Sequence, residues 1–127
     1  MAKWARSGVL DNGLNDIKNN ATVMMLISAY SAGDSYATVV ANNLAEASMT
    51  GTDFTLGSSG SSRTLTTAAG KSATATASAS GTPDLHIAFT DGSANVIWVT
   101  DETTNQPITS GNVINFPQLV YTSNQPT

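Results

Sequence analysis

The sequence predicts a mainly β fold: an antiparallel β-sandwich, jelly-roll-like, with a short N-terminal α-helix. In residues 72–79 alanine alternates with serine or threonine, which is the two-residue period of a strand with one buried face. Turn signals at Gly81, at Asp91 and Gly92, and at Gly111 divide the second half of the chain into further short runs. Several short strands at this spacing are typical of a sandwich or barrel and disfavour βαβ units.

The chain of 127 residues is long enough for one hydrophobic core and too short for two. We expect an N-terminal arm at residues 1–7, a single β-sandwich domain with its helix at 8–121, and a polar tail at 122–127. The sequence contains no cysteine, which excludes disulfides and thiolate metal sites. Stability therefore has to come from burial, backbone pairing or oligomerisation.

A helix of about three turns is predicted directly after the arm, with Ser7 as its N-cap. Its apolar stripe consists of Leu10, Leu14, Ile17 and Ala21. These residues recur at the spacing of one helix face. Asn19 and Asn20 are expected to end the helix.

The segment between this helix and residue 62 is predicted to alternate between buried strands and connections. Residues 22–29 are apolar on both faces and predict a buried strand. A short helical turn is expected at 36–42 and a strand at 44–50. Residues 57–62 contain only glycine and serine, so they predict a flexible, exposed connection.

The remainder is predicted to be strand and turn. The expected strands are 63–67, 72–80, 85–90, 95–101, 106–109 and 113–120. Strand alternation places Leu85, Ile87 and Phe89 on one face. By the same rule Val96, Trp98 and Thr100 share a face of the next strand. Pro117 indicates an edge strand or a bulge.

Composition limits the classes of partner. Only 11% of residues are charged, less than half of the typical fraction, and the formal net charge is −4. Five scattered cations do not suit a run of phosphates, so no nucleic-acid partner is expected. The longest apolar run, 23–27, is far shorter than a membrane span, and no signal-peptide core follows the N-terminal cations. We expect no membrane contact, synthesis in a cytoplasm, and a surface largely covered by neighbouring proteins.

The residues offer little for catalysis, and we expect no catalytic, cofactor-binding or metal site. The single histidine, His86, lies between Leu85 and Ile87 and so faces away from the core side of its strand. A triad on His86 needs a serine and Asp84 or Asp91, and no nucleophile elbow is present. Residues 101–102 are acidic and are candidates for calcium ligands, but the sequence has no Asp-x-Asp-x-Asp loop around them.

The candidate partner-binding residues are Trp4, Lys3 and Arg6 in the arm. A tryptophan between two cations at a chain terminus has two interpretations. It packs back on its own domain, or it docks on a partner as an anchor. A second candidate contact is the 57–62 segment. Four aromatic residues are candidates for stacking on sugars: Trp98, which core packing also explains, Tyr30, Tyr36 and Tyr121.

Several segments read together resemble a family of small structural proteins of tailed bacteriophages. They are the amphipathic helix 9–21, the apolar strand 25–29, the alternating alanine, threonine and serine strand, and the stretches 44–54, 61–66, 83–91 and 108–117. The most specific is Thr-Ser-Gly-Asn at 109–112, a turn before an apolar strand. Ser62 departs from the pattern, which has glycine before Arg63.

The resemblance implies a virion component, in particular a decoration or cement protein on the exterior of the capsid. The expected partner is the phage major capsid protein, and the expected assembly is a homo-oligomer, either a dimer or a trimer. The alternative is a receptor- or glycan-binding module of a head fibre, collar or tail. An enzyme acting on the host envelope is disfavoured by the missing acid and base residues.

Overall fold

The computed structural model describes residues 2–102 and 104–127. Its helices are α1 (Ser7–Asn20) and α2 (Tyr36–Ala41), with a 3-10 turn at Gly51–Asp53. Its strands are β1 (Val23–Ile27), β2 (Asn43–Ser48), β3 (Phe54–Ser59), β4 (Ser62–Thr67), β5 (Ser72–Thr74), β6 (His86–Thr90), β7 (Val96–Asp101), β8 (Val113–Asn115) and β9 (Val120–Ser123).

The strands form three antiparallel sheets in the described residues. The four-stranded sheet has the order β2-β1-β6-β7, the three-stranded sheet β3-β4-β9, and the two-stranded sheet β5-β8. The main core lies between one face of the four-stranded sheet, the two smaller sheets and helix α1. The predicted class, a mainly β antiparallel sandwich with a short N-terminal helix, is confirmed.

Strand β1 is buried on both faces, as its apolar sequence predicts. Met24 and Leu26 face the main core, whereas Met25 and Ile27 face a second, smaller cluster. Helix α2 covers that second face through Val39. The four-stranded sheet is therefore the middle layer of the protein.

Helix α1 follows the predicted stripe, with Leu10, Leu14 and Ile17 buried. Its N-cap is Arg6 rather than Ser7, and no side chain caps it. The carbonyl oxygen of Arg6 accepts hydrogen bonds from the main-chain nitrogens of Val9 (3.0 Å) and Leu10 (3.3 Å). The helix ends at Asn20, as expected from its two asparagines.

The prediction of a flexible loop at 57–62 is wrong. Residues 57–59 belong to β3, and Ser59 pairs with Ser62 at the start of β4. Gly60 adopts a left-handed conformation (φ +60°), which allows the chain to reverse within two residues. A glycine- and serine-rich composition suits a tight hairpin as well as a loose linker, and pairing decides between them.

The strands predicted at 72–80, 106–109 and 113–120 are shorter than expected. The four alternating alanines do contact the main core, as predicted. The ladder of β5 ends at Thr74, however, and beyond it Ala79 and Ile108 form an isolated bridge. Pro117 lies between β8 and β9, and β9 extends to Ser123, into the predicted tail.

The predicted face of β7 is wrong at one position. Phe89 pairs with Trp98 but Thr90 pairs with Val96, so Ile97 is an extra residue in a β-bulge. Ile97 and Trp98 therefore both contact the main core, while Val96 contacts the second cluster. A bulge shifts the alternation by one residue, which simple counting misses.

Candidate functional site

The arm tryptophan is exposed. Trp4 has 72% of its surface accessible, which is the largest value among the exposed large apolar side chains of the described residues. It does not pack back on its own domain. This exposure disfavours packing on its own domain, and docking of Trp4 on a partner stays a prediction.

The root of the arm is nevertheless fixed. The main-chain nitrogen of Ala5 donates to Oε1 of Gln125 (2.9 Å), and Nε2 of Gln125 donates to the carbonyl oxygen of Ala5 (2.9 Å). The same Nε2 donates to the carbonyl oxygen of Ser61 (2.8 Å). The main-chain nitrogen of Gln125 also donates to Oγ of Ser62 (3.3 Å). One amide side chain thus ties the arm to the tip of the β3–β4 hairpin.

This arrangement brings together the two contact regions that the sequence predicts separately. We call residues 3–6, Ser61, Ser62 and Gln125 the arm site. The arm contributes the exposed indole, and the hairpin tip gives it a rigid support. A rigidly presented aromatic group loses less conformational entropy on binding than one on a loose chain.

The two arm cations flank Trp4. Nζ of Lys3 donates to the main-chain oxygen of Thr127. Arg6 is exposed at the N-terminus of α1, where the helix dipole disfavours positive charge. The position of Arg6 is therefore not explained by helix stability. Tryptophan and arginine are the residue types most enriched at energetically dominant interface positions.

Like Lys3, the other three cations bind their own chain. Arg63 pairs with Asp11 of α1 (Nε to Oδ1, 2.8 Å), and Lys71 pairs with Asp53 (Nζ to Oδ2, 3.0 Å). Lys18 donates to the carbonyl oxygen of Phe54 (2.8 Å). Burial raises the pKa of Asp53, but hydrogen bonds from Thr50 and Lys71 and the charge of Lys71 outweigh it, so this pKa lies below its ordinary value.

A groove with both polar and apolar lining lies between α1 and strands β7 and β9. It has a volume of about 400 Å³ and includes Val9, Gly13, Ile97 and Tyr121 in its lining. Val9 and Tyr121 are both exposed. Because Val9 is in the first turn of α1, the groove begins three residues from Arg6. The groove thus gives the arm site an adjoining surface that can bury apolar groups.

The four aromatic residues considered for stacking on sugars lie in different environments. Trp98 stacks on Phe89 (ring centroids 4.7 Å apart, planes 8° apart) and meets Tyr121 edge to face at 5.3 Å. Core packing therefore accounts for Trp98, as one interpretation predicted. Tyr30 lies against His86 at 5.8 Å, and Tyr36 is half-buried at the start of α2. In the described residues these rings do not form one exposed platform.

The structure also assembles a group of side chains that the sequence presents as separate. Asp84, His86 and Asp101 each offer a donor atom, and these atoms lie within 4.8 Å of one another. Asp91, the other acid considered for a triad, is at the β6–β7 turn. No sequence pattern marks this group, because His86 pairs with Asp101 across β6 and β7 only through the bulge at Ile97, which shifts the register by one residue.

Asp91 organises the turn that sets this register. Its Oδ1 accepts hydrogen bonds from the main-chain nitrogens of Ala94 (2.9 Å), Asn95 (3.0 Å) and Ser93 (3.0 Å). Its Oδ2 accepts another from Nδ2 of Asn95 (2.7 Å). These hydrogen bonds, with that from Ala94 first, hold the pKa of Asp91 well below its ordinary value of 3.8.

Replacing Asp91 by asparagine is expected to reduce the loss in the free energy of unfolding that accompanies a fall to acidic pH. The folded-state pKa is below the unfolded-state pKa, so the stabilisation is complete above about pH 4 and is lost as the pH falls through the more acidic range. The free energy of unfolding is measured in urea at about pH 6 and about pH 2.5 for both proteins. An equal acid-induced loss in wild type and Asp91→Asn would contradict this account.

Comparison with protein-family models, with curated proteins and with solved structures finds no match. Within the described part of the chain, neither helix has the length and apolar character needed to cross a bilayer.

Proposed function

We propose that this chain is a structural virion protein of a tailed bacteriophage. It decorates and stabilises the outside of the capsid shell by binding the major capsid protein as a homo-oligomer. The observation that carries the proposal is the exposed Trp4, held between two cations on an arm whose root is fixed by Gln125. The resemblance of seven segments to small phage structural proteins supplies the setting.

The physical action is the addition of contact area at weak seams of the shell. A packaged genome presses outward on the capsid, and a protein that bridges neighbouring capsomers resists their separation. Each contact contributes a modest free energy, but an oligomer engages several at once and a shell carries many copies. The serine- and threonine-rich surface carries few charges and suits close coverage by neighbours, because few charged groups have to be desolvated.

The number of copies per particle tests this proposal first. Gel densitometry of purified particles distinguishes a shell protein, present in hundreds of copies, from a fibre or collar protein, present in at most a few tens. Absence of the chain from purified particles would overturn the assignment to the virion. A low copy number would instead favour the receptor- or glycan-binding alternative.

Trp4→Ala is expected to weaken binding to undecorated heads about thirty-fold. The reason is that truncating a central tryptophan at an interface typically costs about 2 kcal/mol, and 1.4 kcal/mol corresponds to a factor of ten. Occupancy is measured by titrating each protein onto heads lacking it and quantifying the bound fraction after sedimentation. The matched control is Val113→Ala, since Val113 is also an exposed apolar residue but lies on β8.

A second variant tests the support of the arm separately from the indole of Trp4. Gln125→Ala removes both hydrogen bonds to Ala5 and leaves Trp4 intact. It is expected to weaken binding less than Trp4→Ala, because only the rigidity of the arm is lost. If Trp4→Ala saturates heads at the same concentration as wild type, the arm is not the contact.

A further inference from the structure

We propose that Asp84, His86 and Asp101 form a binding site for a divalent transition-metal ion, with Zn²⁺ as the ion that suits these donors best. The proposal does not depend on the proposed function. It differs from the expectation from sequence that the chain has no metal site. One imidazole nitrogen and two carboxylate oxygens are a donor set that Zn²⁺ uses in proteins, with water completing a tetrahedron.

The spacing of the donor atoms fits ligands better than it fits a hydrogen-bonded network. Nε2 of His86 and Oδ1 of Asp101 are 3.7 Å apart, which is too long for a hydrogen bond. All three donor atoms lie within 4.8 Å of one another. Ligands about 2.1 Å from a common Zn²⁺ are separated by roughly 3.4 Å in a tetrahedron, so small side-chain rotations close the site.

The imidazole is already oriented for coordination. Nδ1 of His86 lies 3.0 Å from the main-chain oxygen of Asp84, which can only accept, so Nδ1 carries the proton. In the neutral imidazole the lone pair is then on Nε2, the nitrogen that faces Asp101. A backbone carbonyl that fixes the second ring nitrogen is the usual outer-shell partner of a metal-binding histidine. The His86 side chain is 15% exposed, so the ring has little freedom to turn away.

In the part of the chain that the structure describes, no lysine or arginine forms an ion pair with either carboxylate. In the described residues the remaining ion pairs place Arg63 on Asp11 and Lys71 on Asp53, not on Asp84 or Asp101. Glu102 adds a further negative charge beside Asp101 in the sequence. A divalent cation would relieve this repulsion, and it would join the segment before β6 to the end of β7.

The test uses the fact that the chain has a single histidine and no cysteine. The metal-free full-length protein is titrated with ZnCl₂ while the one imidazole Cε1–H resonance is followed by NMR. We expect that resonance to shift and saturate at one equivalent of Zn²⁺, and the melting temperature to rise. An imidazole resonance that does not move with excess Zn²⁺ would overturn the proposal.

Three variants assign the ligands. His86→Gln should abolish binding, and Asp84→Asn and Asp101→Asn should each weaken it by more than the roughly tenfold loss that follows removal of an outer-shell partner. Glu46→Gln is the matched control, because Glu46 is an exposed acid on β2. Equal melting temperatures in EDTA show that the variants are folded. Undiminished binding by His86→Gln, or by both aspartate variants, would contradict this site.

Discussion

Phe89→Ala is expected to lower the free energy of unfolding by about 3–5 kcal/mol. Phe89 is fully buried on β6, and its ring stacks on Trp98 of β7 at 4.7 Å. On its other side it meets Phe54 of β3, with ring centroids 6.0 Å apart. The ring therefore joins the four-stranded sheet to the three-stranded sheet, and truncation leaves a cavity where the two layers meet. Urea unfolding followed by tryptophan fluorescence and by circular dichroism measures the loss.

Two further variants show whether the loss of stability is specific to the buried ring of Phe89. Phe89→Leu keeps most of the volume and should cost much less, because only the aromatic contacts are lost. Val113→Ala removes an apolar side chain that is 64% exposed and should change the stability by no more than about 0.5 kcal/mol. A loss below about 1 kcal/mol for Phe89→Ala would show that this ring does not join the sheets as described.

The sequence predicts those features of the fold that depend on local periodicity. The stripe of α1 and the doubly apolar strand β1 are read directly from spacing, because burial of one face or both imposes that spacing. The alternating alanines likewise mark a core-facing segment, although the ladder of β5 covers only its first three residues. Periodicity reports which side is buried and does not report which strand is the partner.

Features that depend on pairing between distant segments could not be predicted. Strand β1 pairs with both β2 and β6, and Val23 lies opposite Thr90. No local pattern specifies such a partner. The hairpin at 57–62 was missed for a related reason, since cross-strand hydrogen bonds convert a composition typical of linkers into a paired turn.

The arm site likewise combines a feature that the sequence predicts with one that depends on pairing between distant segments. The sequence draws attention to Trp4 because an aromatic residue between two cations is unusual, and the exposure of Trp4 fits a contact role. The support beneath it depends on a hydrogen bond between residues 120 positions apart, from Ala5 to Gln125. The group around His86 was also out of reach, because counting outward from the Asp91 turn pairs His86 with Thr100, and only the bulge at Ile97 shifts its partner to Asp101.

Leu14→Ala is expected to lower the free energy of unfolding by about 2–5 kcal/mol. Leu14 is fully buried where α1 packs on β4 and β9, so its loss loosens the helix from the sheets. Val9→Ala in the same helix is the matched control, because Val9 is 56% exposed. Alanine is also the better helix former, so Val9→Ala should be neutral or slightly stabilising.

Hydrogen exchange distinguishes two ways in which the Leu14→Ala variant can lose stability. The cysteine-free domain has one main core, and α1 shares it with all three sheets. The amide protons of α1 and of β4 should therefore lose protection together in Leu14→Ala, as parts of one cooperative unit. Loss of protection confined to α1, with β4 unchanged, would show instead that the helix is a detachable layer. The arm, which directly precedes α1, would then adjoin an element that opens independently of the sandwich.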